Sequence, residues 1–227
     1  MKPLFAPTLK TFPPPELALE DGIIDMSDDL RVERLLEAYS FGIFPWPHEA
    51  LPTIWCSPDP RGVLNFTDFH VPRSLAKFMK KCPWTFSFNK NFAEVMDSCA
   101  AQVRVGQSGT WITPKLRRAY LDFHAAGYAH SLEVWEGEEL VGGLYGVYVA
   151  GVFAGESMFH RRTNASKVAL VHLVDFLRAQ GFTWMDTQMV TPVLESMGGV
   201  YISRQKYLDR LVLTKRRAKA IEFRFKT

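Results

Sequence analysis

A nearly uncharged run between residues 140 and 158, LVGGLYGVYVAGVFAGESM, is the feature that most constrains the fold of this chain. Sixteen residues precede its first charge, at Glu156, and five of them are glycines. A helix needs about 20 apolar residues to cross a bilayer, so this run is short for a membrane span. Its β-branched and aromatic residues favour strands, and Ala150-Gly151 favours a turn. The sequence therefore predicts two buried β-strands joined by that turn.

Glu156 stands at the end of this run, where a carboxylate must find a cation or hydrogen-bond donors. A second carboxylate, Asp186, lies in another predicted strand, FTWMDTQMV. Side chains alternate along a strand, so Asp186 and Gln188 share one face and lie about 7 Å apart. We predict Asp186, Gln188 and Glu156 as the catalytic residues, because a buried carboxyl group beside a cation serves as a base or as a charge clamp.

A purely structural interpretation of each acid is at least as simple. Glu156 would pair with Arg161 or Arg162, and Asp186 would accept hydrogen bonds from backbone donors. The presence of both acids together with Gln188 favours the catalytic interpretation.

Composition excludes several classes of protein. The chain has 227 residues, of which 47% are hydrophobic and 22% charged, which indicates a folded globular protein and not a disordered one. Its three cysteines form no CxxC pair, so neither a disulfide framework nor a zinc site is predicted. No Walker, HExxH or GxSxG motif is present, and we expect no metal or cofactor. The N-terminus lacks the apolar segment of a secretory signal, so we expect a cytoplasmic protein without a membrane anchor.

The order of predicted elements indicates an α+β protein with a mixed sheet. Residues 1–24 are rich in proline and are predicted to form an extended arm. The pattern changes near residue 83, which predicts a small N-terminal domain over 1–83 and a catalytic domain over 84–227. In the second part we predict helices over 92–102 and 165–179 and strands over 85–88, 130–135, 140–149 and 152–159.

Charge is distributed unevenly along the chain. Residues 1–40 carry four bases and eight acids, whereas the last 13 residues carry six bases and one acid. On a predicted helix, cations recur at spacings of three and four, which places them on one face: Arg73, Lys77, Lys80 and Lys81. A polyanionic partner and an ordinary solvated surface both explain these patterns.

Three tryptophans, Trp46, Trp55 and Trp111, lie in predicted loops rich in proline or glycine. Core packing explains most tryptophans, but aromatic side chains in loops near basic faces also stack on nucleic-acid bases. Trp111 is the strongest candidate for stacking on a base.

Several longer motifs, taken together, are similar to those of the bacterial leucyl/phenylalanyl-tRNA protein transferases. The resemblance covers residues 20 to 211, in order. The motifs are FGIFPW (41–46), WCSPDPRGVL (55–64), GTWIT (109–113), HSLEVWEGEELVGGLYGV (130–147), GESMF (155–159), NASKVAL (164–170) and DTQ (186–188).

The resemblance implies transfer of Leu or Phe from an aminoacyl-tRNA to the N-terminal Arg or Lys of a protein, which marks that protein for degradation by the N-degron route. It implies a GNAT-like C-terminal domain behind a smaller N-terminal domain. Trp111 and Trp46 would stack on the terminal adenosine of the tRNA, and the four cations of the predicted helix would contact its acceptor stem. The apolar pocket for the transferred side chain would be lined by Leu144, Phe153, Met158, Leu170 and Leu173.

The chemistry of aminolysis leads to a hypothesis for the catalytic residues. The ester between amino acid and tRNA is already activated, so the enzyme mainly holds it beside a neutral amine and stabilises an oxyanion. We hypothesise that Asp186 polarises Gln188, that Gln188 orients the amine, and that Glu156 holds an ammonium group. Proton transfer assisted by the tRNA ribose is the rival mechanism.

The sequence departs from the family pattern at MSDDL (26–30), FPWP (44–47), Val193 and SMGG (196–199). Two other functions remain open. An acetyl-CoA-dependent N-acetyltransferase would share the fold, but the helix start at 164–167 lacks the glycines of a pyrophosphate loop. A non-catalytic RNA-binding module would explain the cations and the tryptophans but would leave the two acids and Gln188 without a role.

Overall fold

The computed structural model describes residues 8–47, 51–102 and 110–225. Within them the strands are β1 (Ile23–Met26), β2 (Phe44–Trp46), β3 (Ile54–Cys56), β4 (Arg61–Asn65), β5 (Thr85–Phe88), β6 (Ala129–Glu136), β7 (Glu139–Val149), β8 (Val152–His160), β9 (Trp184–Gln188) and β10 (Gly199–Ile202). The helices are α1 (Val32–Ser40), α2 (Arg73–Met79), α3 (Phe92–Ala101), α4 (Pro114–Ala125), α5 (Ala165–Ala179), α6 (Pro192–Glu195) and α7 (Arg204–Lys215), with one 3-10 turn, Pro15–Leu17.

Seven strands form one mixed sheet in the order β10-β4-β9-β8-β7-β6-β5. The pairing is antiparallel except between β8 and β9, which run parallel. A second sheet, β1-β3-β2, is small and N-terminal. This arrangement confirms the predicted α+β, GNAT-like fold. Strand β4 lies between β10 and β9 in the large sheet, and the domain boundary near residue 83 stays a prediction.

The predicted hairpin of β7 and β8 is confirmed. Ala150 and Gly151 form its turn with φ angles of +55° and +82°, in the left-handed region. The glycines inside β7 are explained by close neighbours. A Cβ atom on Gly142 would lie 2.4 Å from the Cβ of Ala165 at the start of α5, and a Cβ on Gly146 would lie 2.3 Å from a carbonyl oxygen of β8.

Helices cover both faces of the large sheet. One face carries α1, α3 and α4, whose buried side chains, such as Leu35, Met96 and Tyr120, form one cluster with Tyr145 of β7. The other carries α5 and α2 over a second cluster of buried side chains. We refer to these as the α4 face and the α5 face. In the part of the chain that the structure describes, no helix has both the length and the apolar character that crossing a bilayer requires.

The predicted N-terminal arm packs on α1. Glu37 Oε1 accepts hydrogen bonds from the backbone N–H groups of Lys10 and Thr11 at 2.6 and 2.7 Å. The ring of Phe12 meets the indole of Trp55 edge-on at 4.9 Å. The arm is therefore fixed by hydrogen bonds and by an aromatic contact. Residues 1–7 lie outside the described part of the chain, and β1 begins at Ile23, within the range predicted as arm.

The basic C-terminal segment also packs on the protein. The backbone oxygen of Lys219 accepts a hydrogen bond from the Tyr148 hydroxyl at 2.6 Å. The ring of Phe223 is 6% exposed and lies 3.8 Å from His130 and 5.5 Å from Phe176, centroid to centroid. The segment is therefore not simply a solvated tail.

Replacing Phe223 by alanine should lower the free energy of unfolding by about 3–5 kcal/mol, the usual cost of deleting a buried phenylalanine side chain. Urea denaturation measures the change. Leu213→Ala is the matched control, because that side chain is 59% exposed and its loss should change stability by less than about 0.5 kcal/mol. Equal stability of the two variants would contradict the packing of the segment.

Candidate active site

The three predicted catalytic residues come together where β8 and β9 meet. These two strands pair in register at Ala154 and Asp186. Beyond that point the Gln188 side-chain amide donates a hydrogen bond to Glu156 Oε1 at 2.7 Å. The backbone N–H of Gln188 donates to Asp186 Oδ1 at 2.9 Å. Asp186 therefore contacts Gln188 through the backbone and not through the side-chain amide that we expected it to polarise.

Glu156 lies at a β-bulge of β8. Gly146 pairs with Gly155 and Tyr145 with Ser157, so Glu156 is the extra residue of β8. Ala154, two residues earlier, packs in the cluster of the α4 face, so regular alternation places the Glu156 carboxylate on that face as well. The bulge shifts the residues that follow, and Met158 consequently packs on the α5 face.

Two buried tyrosines complete the surroundings of Glu156. The Tyr120 hydroxyl, from α4, donates to Glu156 Oε2 at 3.2 Å. The hydroxyl of Tyr39, from α1, hydrogen bonds to both Tyr120 and Glu156. Burial raises the pKa of both tyrosines well above the ordinary value. Both hydroxyls therefore stay protonated and are available as donors.

The structural interpretation that pairs Glu156 with Arg161 or Arg162 is wrong. Both arginines point elsewhere: Arg161 donates to the carbonyl oxygen of Leu140 at 2.9 Å, and Arg162 pairs with Glu139 at 2.8 Å. The physical reason is that the Glu156 carboxylate faces Tyr39 and Tyr120, whose hydroxyl groups supply the hydrogen bonds that the arginines were expected to supply.

Burial raises the pKa of Glu156 to about 7, and the hydrogen bonds from Tyr39, Tyr120 and Gln188 oppose this rise. The nearby charge of Asp186 acts in the same direction as burial. Near neutral pH the carboxyl group is therefore about half ionised. A group with this pKa can hold an ammonium ion and can also exchange a proton with an amine.

This raised pKa predicts a pH-dependent stability. The ordinary pKa of the group is 4.5 and its pKa in the folded protein is about 7, so the folded protein binds this proton more tightly than the unfolded chain does. The protonated carboxyl group therefore stabilises the fold. This contribution is fully present below pH 4.5 and is lost as the pH rises through 7. Between pH 5 and 7.5 the wild type should lose about 2–3 kcal/mol more than Glu156→Gln, measured by urea denaturation at both pH values. Parallel pH profiles would contradict the raised pKa.

Asp186 is held by a buried ion pair that the sequence did not reveal. Arg61, at the start of β4, donates from Nε to Oδ1 at 2.9 Å and from Nη2 to Oδ2 at 2.6 Å. The Tyr207 hydroxyl, from α7, donates to Oδ2 at 2.9 Å. Arg61 and Asp186 are each 1% exposed. Asp186 thus lies beneath Gln188 and fixes its backbone.

The Arg61 guanidinium is itself enclosed. Its Nη1 donates to the carbonyl oxygen of Gly42 at 2.9 Å, and the group lies 4.7 Å from the Phe44 ring centroid and 4.4 Å from that of Tyr207. Burial lowers the pKa of Arg61, but the charge of Asp186 outweighs it and the pKa is raised overall. Arg61 is therefore a permanent cation that keeps Asp186 in place.

Gln188 adopts an unusual backbone conformation, with φ at +53°. Non-glycine residues in this region carry strain, and surrounding contacts must hold them there. One contact is the hydrogen bond from its N–H to Asp186. Another is the next residue, Met189, whose backbone crosses Gly62 so closely that a Cβ atom on the glycine would lie 2.6 Å from it. The position of the Gln188 side chain is thus built into the fold.

Some of these residues carried a sequence signal and others did not. Tyr39 and Tyr120 lie among the apolar residues of α1 and α4, where a buried hydroxyl needs a partner. Arg61 is a lone charge at the start of an apolar strand, RGVL, which requires a counter-ion in the core. Tyr207 lies next to Leu208 in α7, and nothing in its helix distinguishes its hydroxyl as a partner of Asp186.

Trp46 and Trp111 stack on each other. Their ring centroids are 5.8 Å apart and the rings are 8° from parallel. Both are half-buried, so part of this aromatic pair is open to solvent. Trp111 lies three residues before the start of α4, where Thr113 accepts the capping hydrogen bond from the backbone N–H of Leu116.

The predicted loop position of two tryptophans is wrong. Trp46 is the last residue of β2 and Trp55 lies in β3, because these short proline-containing segments pair with each other in the small sheet. Trp55 is fully buried, and its indole N–H donates to the carbonyl oxygen of Ser27 at 3.0 Å. Trp55 is therefore part of the core and not a stacking platform.

The five apolar residues predicted to line a pocket all belong to the α5 face. Four are buried, and Met158 is half-buried at the edge of the same cluster: Leu144, Phe153, Leu170 and Leu173 are the buried ones. The Glu156 carboxylate lies on the opposite face, because the bulge shifts Met158 out of the alternation that would otherwise place it on the same face as Glu156. A pocket lined by this set stays a prediction, but Glu156 is not its polar end.

The four predicted tRNA-binding cations lie at the surface of the α5 face. Arg73 and Lys77 belong to α2, and Lys80 and Lys81 follow its last residue. All four side chains are exposed, whereas Leu75 of the same helix is buried against the α5 cluster. The predicted cationic face is thus real, and its binding of RNA stays a prediction.

The chain is similar in sequence to proteins of a known family. Residues 63–212 match the family model described as leucyl/phenylalanyl-tRNA protein transferase, and residues 28–59 match the model of that family's N-terminal domain. The chain belongs to the leucyl/phenylalanyl-tRNA protein transferase family. A leucyl/phenylalanyl-tRNA–protein transferase of Shewanella baltica is 50% identical over 204 residues, which cover 89% of this chain and 86% of the relative. One of Shewanella halifaxensis is 50% identical over 202 residues, covering 88% and 85%.

Both transferase-family matches include predicted site residues. Trp46 lies in the N-terminal match, and Trp111, Glu156, Asp186 and Gln188 lie in the longer one. Residues 213–227 lie beyond both matched ranges. The three predicted catalytic residues therefore belong to the matched part of the chain, whereas Arg61 falls between the two matched ranges and the packed C-terminal segment lies beyond them.

Proposed function

We propose that this chain transfers leucine or phenylalanine from aminoacyl-tRNA to the N-terminal Arg or Lys of an acceptor protein. The product is then marked for degradation by the N-degron route, and the reaction takes place in the cytoplasm. Membership of the transferase family supports the activity. The active site is assigned to Glu156 and Gln188 because their side chains are hydrogen bonded to each other. Asp186 supports this assignment, because it accepts a hydrogen bond from the backbone N–H of Gln188.

The proposed reaction is aminolysis of the ester that joins the amino acid to the tRNA ribose. The acceptor amine attacks the ester carbonyl carbon, a C–N bond forms, and the C–O bond to the ribose breaks. One proton leaves the amine, and one ends on the ribose oxygen. An N-terminal ammonium has a reference pKa of about 7.7–8.0, so modest base assistance is enough to supply the neutral amine.

Each polar residue has a part in this reaction. Glu156 holds the ammonium group and, with a pKa of about 7, is able to take its proton. The Gln188 amide N–H group is occupied by Glu156, which leaves its side-chain carbonyl oxygen to accept an N–H from the amine. Asp186 and Arg61 act as positioning residues, because both are buried. Assistance by a ribose hydroxyl remains the rival route for the proton.

The tRNA and the amino acid have candidate positions in this scheme. The Trp46–Trp111 pair would stack on the terminal adenosine, since aromatic platforms contribute about 1–3 kcal/mol per stacked base. The exposed cations Arg73, Lys77, Lys80 and Lys81 would contact the acceptor stem through phosphates. The transferred side chain would enter beside Met158, the one half-buried member of the apolar set.

One assay separates this function from its two rivals. Labelled leucyl-tRNA or labelled acetyl-CoA is mixed with a reporter protein that carries an N-terminal Arg, and label on the reporter is followed. We expect transfer from leucyl-tRNA only. Transfer from acetyl-CoA would indicate an N-acetyltransferase, and binding of tRNA without any transfer would indicate an RNA-binding module.

A further inference from the structure

Three exposed cations follow helix α7 in the C-terminal segment: Arg216, Arg217 and Lys219. The one acid among the last 13 residues is Glu222, which pairs with Arg224 at 3.0 Å. That acid is thus already occupied by another cation. We refer to Arg216, Arg217 and Lys219 as the C-terminal cations.

The chain that carries these cations is anchored at several points. The Tyr148 hydroxyl binds the backbone oxygen of Lys219. At Gly151, in the turn between β7 and β8, an added Cβ atom would lie 3.1 Å from the Ala218 side chain, so the segment passes tightly over this turn. Phe223 then enters the buried cluster of the α5 face. A cation on an anchored chain loses less conformational freedom when it binds a partner than one on a loose tail.

The end of the anchored segment and helix α2 pack into the same cluster. Leu75 of α2 and Phe223 of the segment both belong to the cluster beneath α5. The ring of Phe225 stacks on Phe88, the last residue of β5, at 4.7 Å. Phe88 lies seven positions after Lys81, so these two residues lie at most about 25 Å apart. The C-terminal cations lie six to nine positions before Phe225, on the chain that leads into this cluster.

We propose that Arg216, Arg217 and Lys219 bind the phosphate backbone of the acceptor stem of the same aminoacyl-tRNA and so extend the cationic surface of α2. This inference rests on the proposed function. The partner is a duplex RNA, because exposed Arg and Lys contact phosphates without reading bases. The contacts are therefore independent of sequence and sensitive to salt.

The test is equilibrium binding of uncharged leucine tRNA to the full chain between 50 and 200 mM salt. A variant that combines Arg216→Gln, Arg217→Gln and Lys219→Gln should lower the magnitude of the slope of log K against log salt by about 2.7, which is about 0.9 for each lost phosphate contact. Over this range the wild type should lose about 40-fold more affinity than the variant. All three side chains are exposed, so folding should be unchanged.

A matched control removes the same charge elsewhere, with Lys10→Gln, Arg31→Gln and Lys206→Gln at three other exposed positions. This control should keep the wild-type slope. If the C-terminal variant also keeps the wild-type slope, or if both variants lose it equally, the proposal is overturned.

Transfer kinetics keep this inference separate from the proposed function. In the leucine-transfer assay the C-terminal variant should raise KM for leucyl-tRNA and leave kcat unchanged, because contacts with the phosphate backbone contribute to binding of the tRNA and not to the chemical step. Absence of transfer by the wild type would refute the proposed function, while the binding slopes would still decide the role of the C-terminal cations.

Discussion

Asp186→Ala is expected to lower the free energy of unfolding by about 3–5 kcal/mol and turnover by about 100-fold. The loss of stability follows from the Arg61 guanidinium, which would remain 1% exposed without its anion. The loss of turnover follows from Gln188, whose strained backbone would lose its hydrogen bond to Asp186 Oδ1. Misplacing a reacting group by about 1 Å costs about 100-fold in rate. Urea denaturation and single-turnover leucine transfer measure the two effects.

A double variant separates the two roles of this ion pair. Arg61→Met combined with Asp186→Leu replaces the buried charges by apolar side chains, which is often neutral for stability. The double variant should regain most of the stability but not the turnover, because no acceptor holds the N–H of Gln188. Asp175→Ala, which removes an exposed acid, is the control and should leave both quantities unchanged. Recovery of both by the double variant would show that Asp186 is only structural.

Glu156→Gln should reduce kcat/KM for leucine transfer by 30-fold or more. Removing one partner of a buried, hydrogen-bonded charge pair costs about 2–5 kcal/mol, and the amide can neither balance an ammonium ion nor accept its proton. The side chain keeps its size, and the hydroxyls of Tyr120 and Tyr39 still find an oxygen to donate to. The fold should therefore survive, and thermal unfolding at pH 5 provides the check.

The pH profile of the same variant tests the role of the carboxylate. In the wild type, kcat/KM should rise through two ionisations, one near pH 7 from Glu156 and one near 7.7–8.0 from the acceptor amine. In Glu156→Gln only the second should remain. A variant that keeps the ionisation near pH 7 would assign it to another group, and one with wild-type kcat/KM would favour proton transfer through the ribose.

The hairpin and the three polar residues could be predicted because their signals are local. Alternation placed Glu156 and Asp186 on strands, and Ala150-Gly151 marked the turn between β7 and β8. The placement of Glu156 and Met158 on opposite faces could not be predicted. It depends on a register shift against β7 at Tyr145, and a shift of one residue moves the side chains that follow to the other face of a sheet.

The side chains that contact Asp186 could not be predicted for a different reason. Arg61 and Asp186 are 125 positions apart in the sequence, and their contact depends on β4 and β9 being neighbours in the sheet. A single sequence contains no signal for strand order. The packing of the C-terminal segment, by contrast, has a signal in the sequence. Phe223 and Phe225 interrupt a basic stretch, and two large apolar side chains favour burial.

The mass of a reporter protein with an N-terminal Arg, measured before and after incubation with leucyl-tRNA and this chain, tests the central claim most directly. We predict that the reporter gains one leucyl residue at its N-terminal amine, and that a reporter with an acetylated N-terminus gains none. An unchanged mass, with leucyl-tRNA and with phenylalanyl-tRNA, would contradict the proposed transfer reaction.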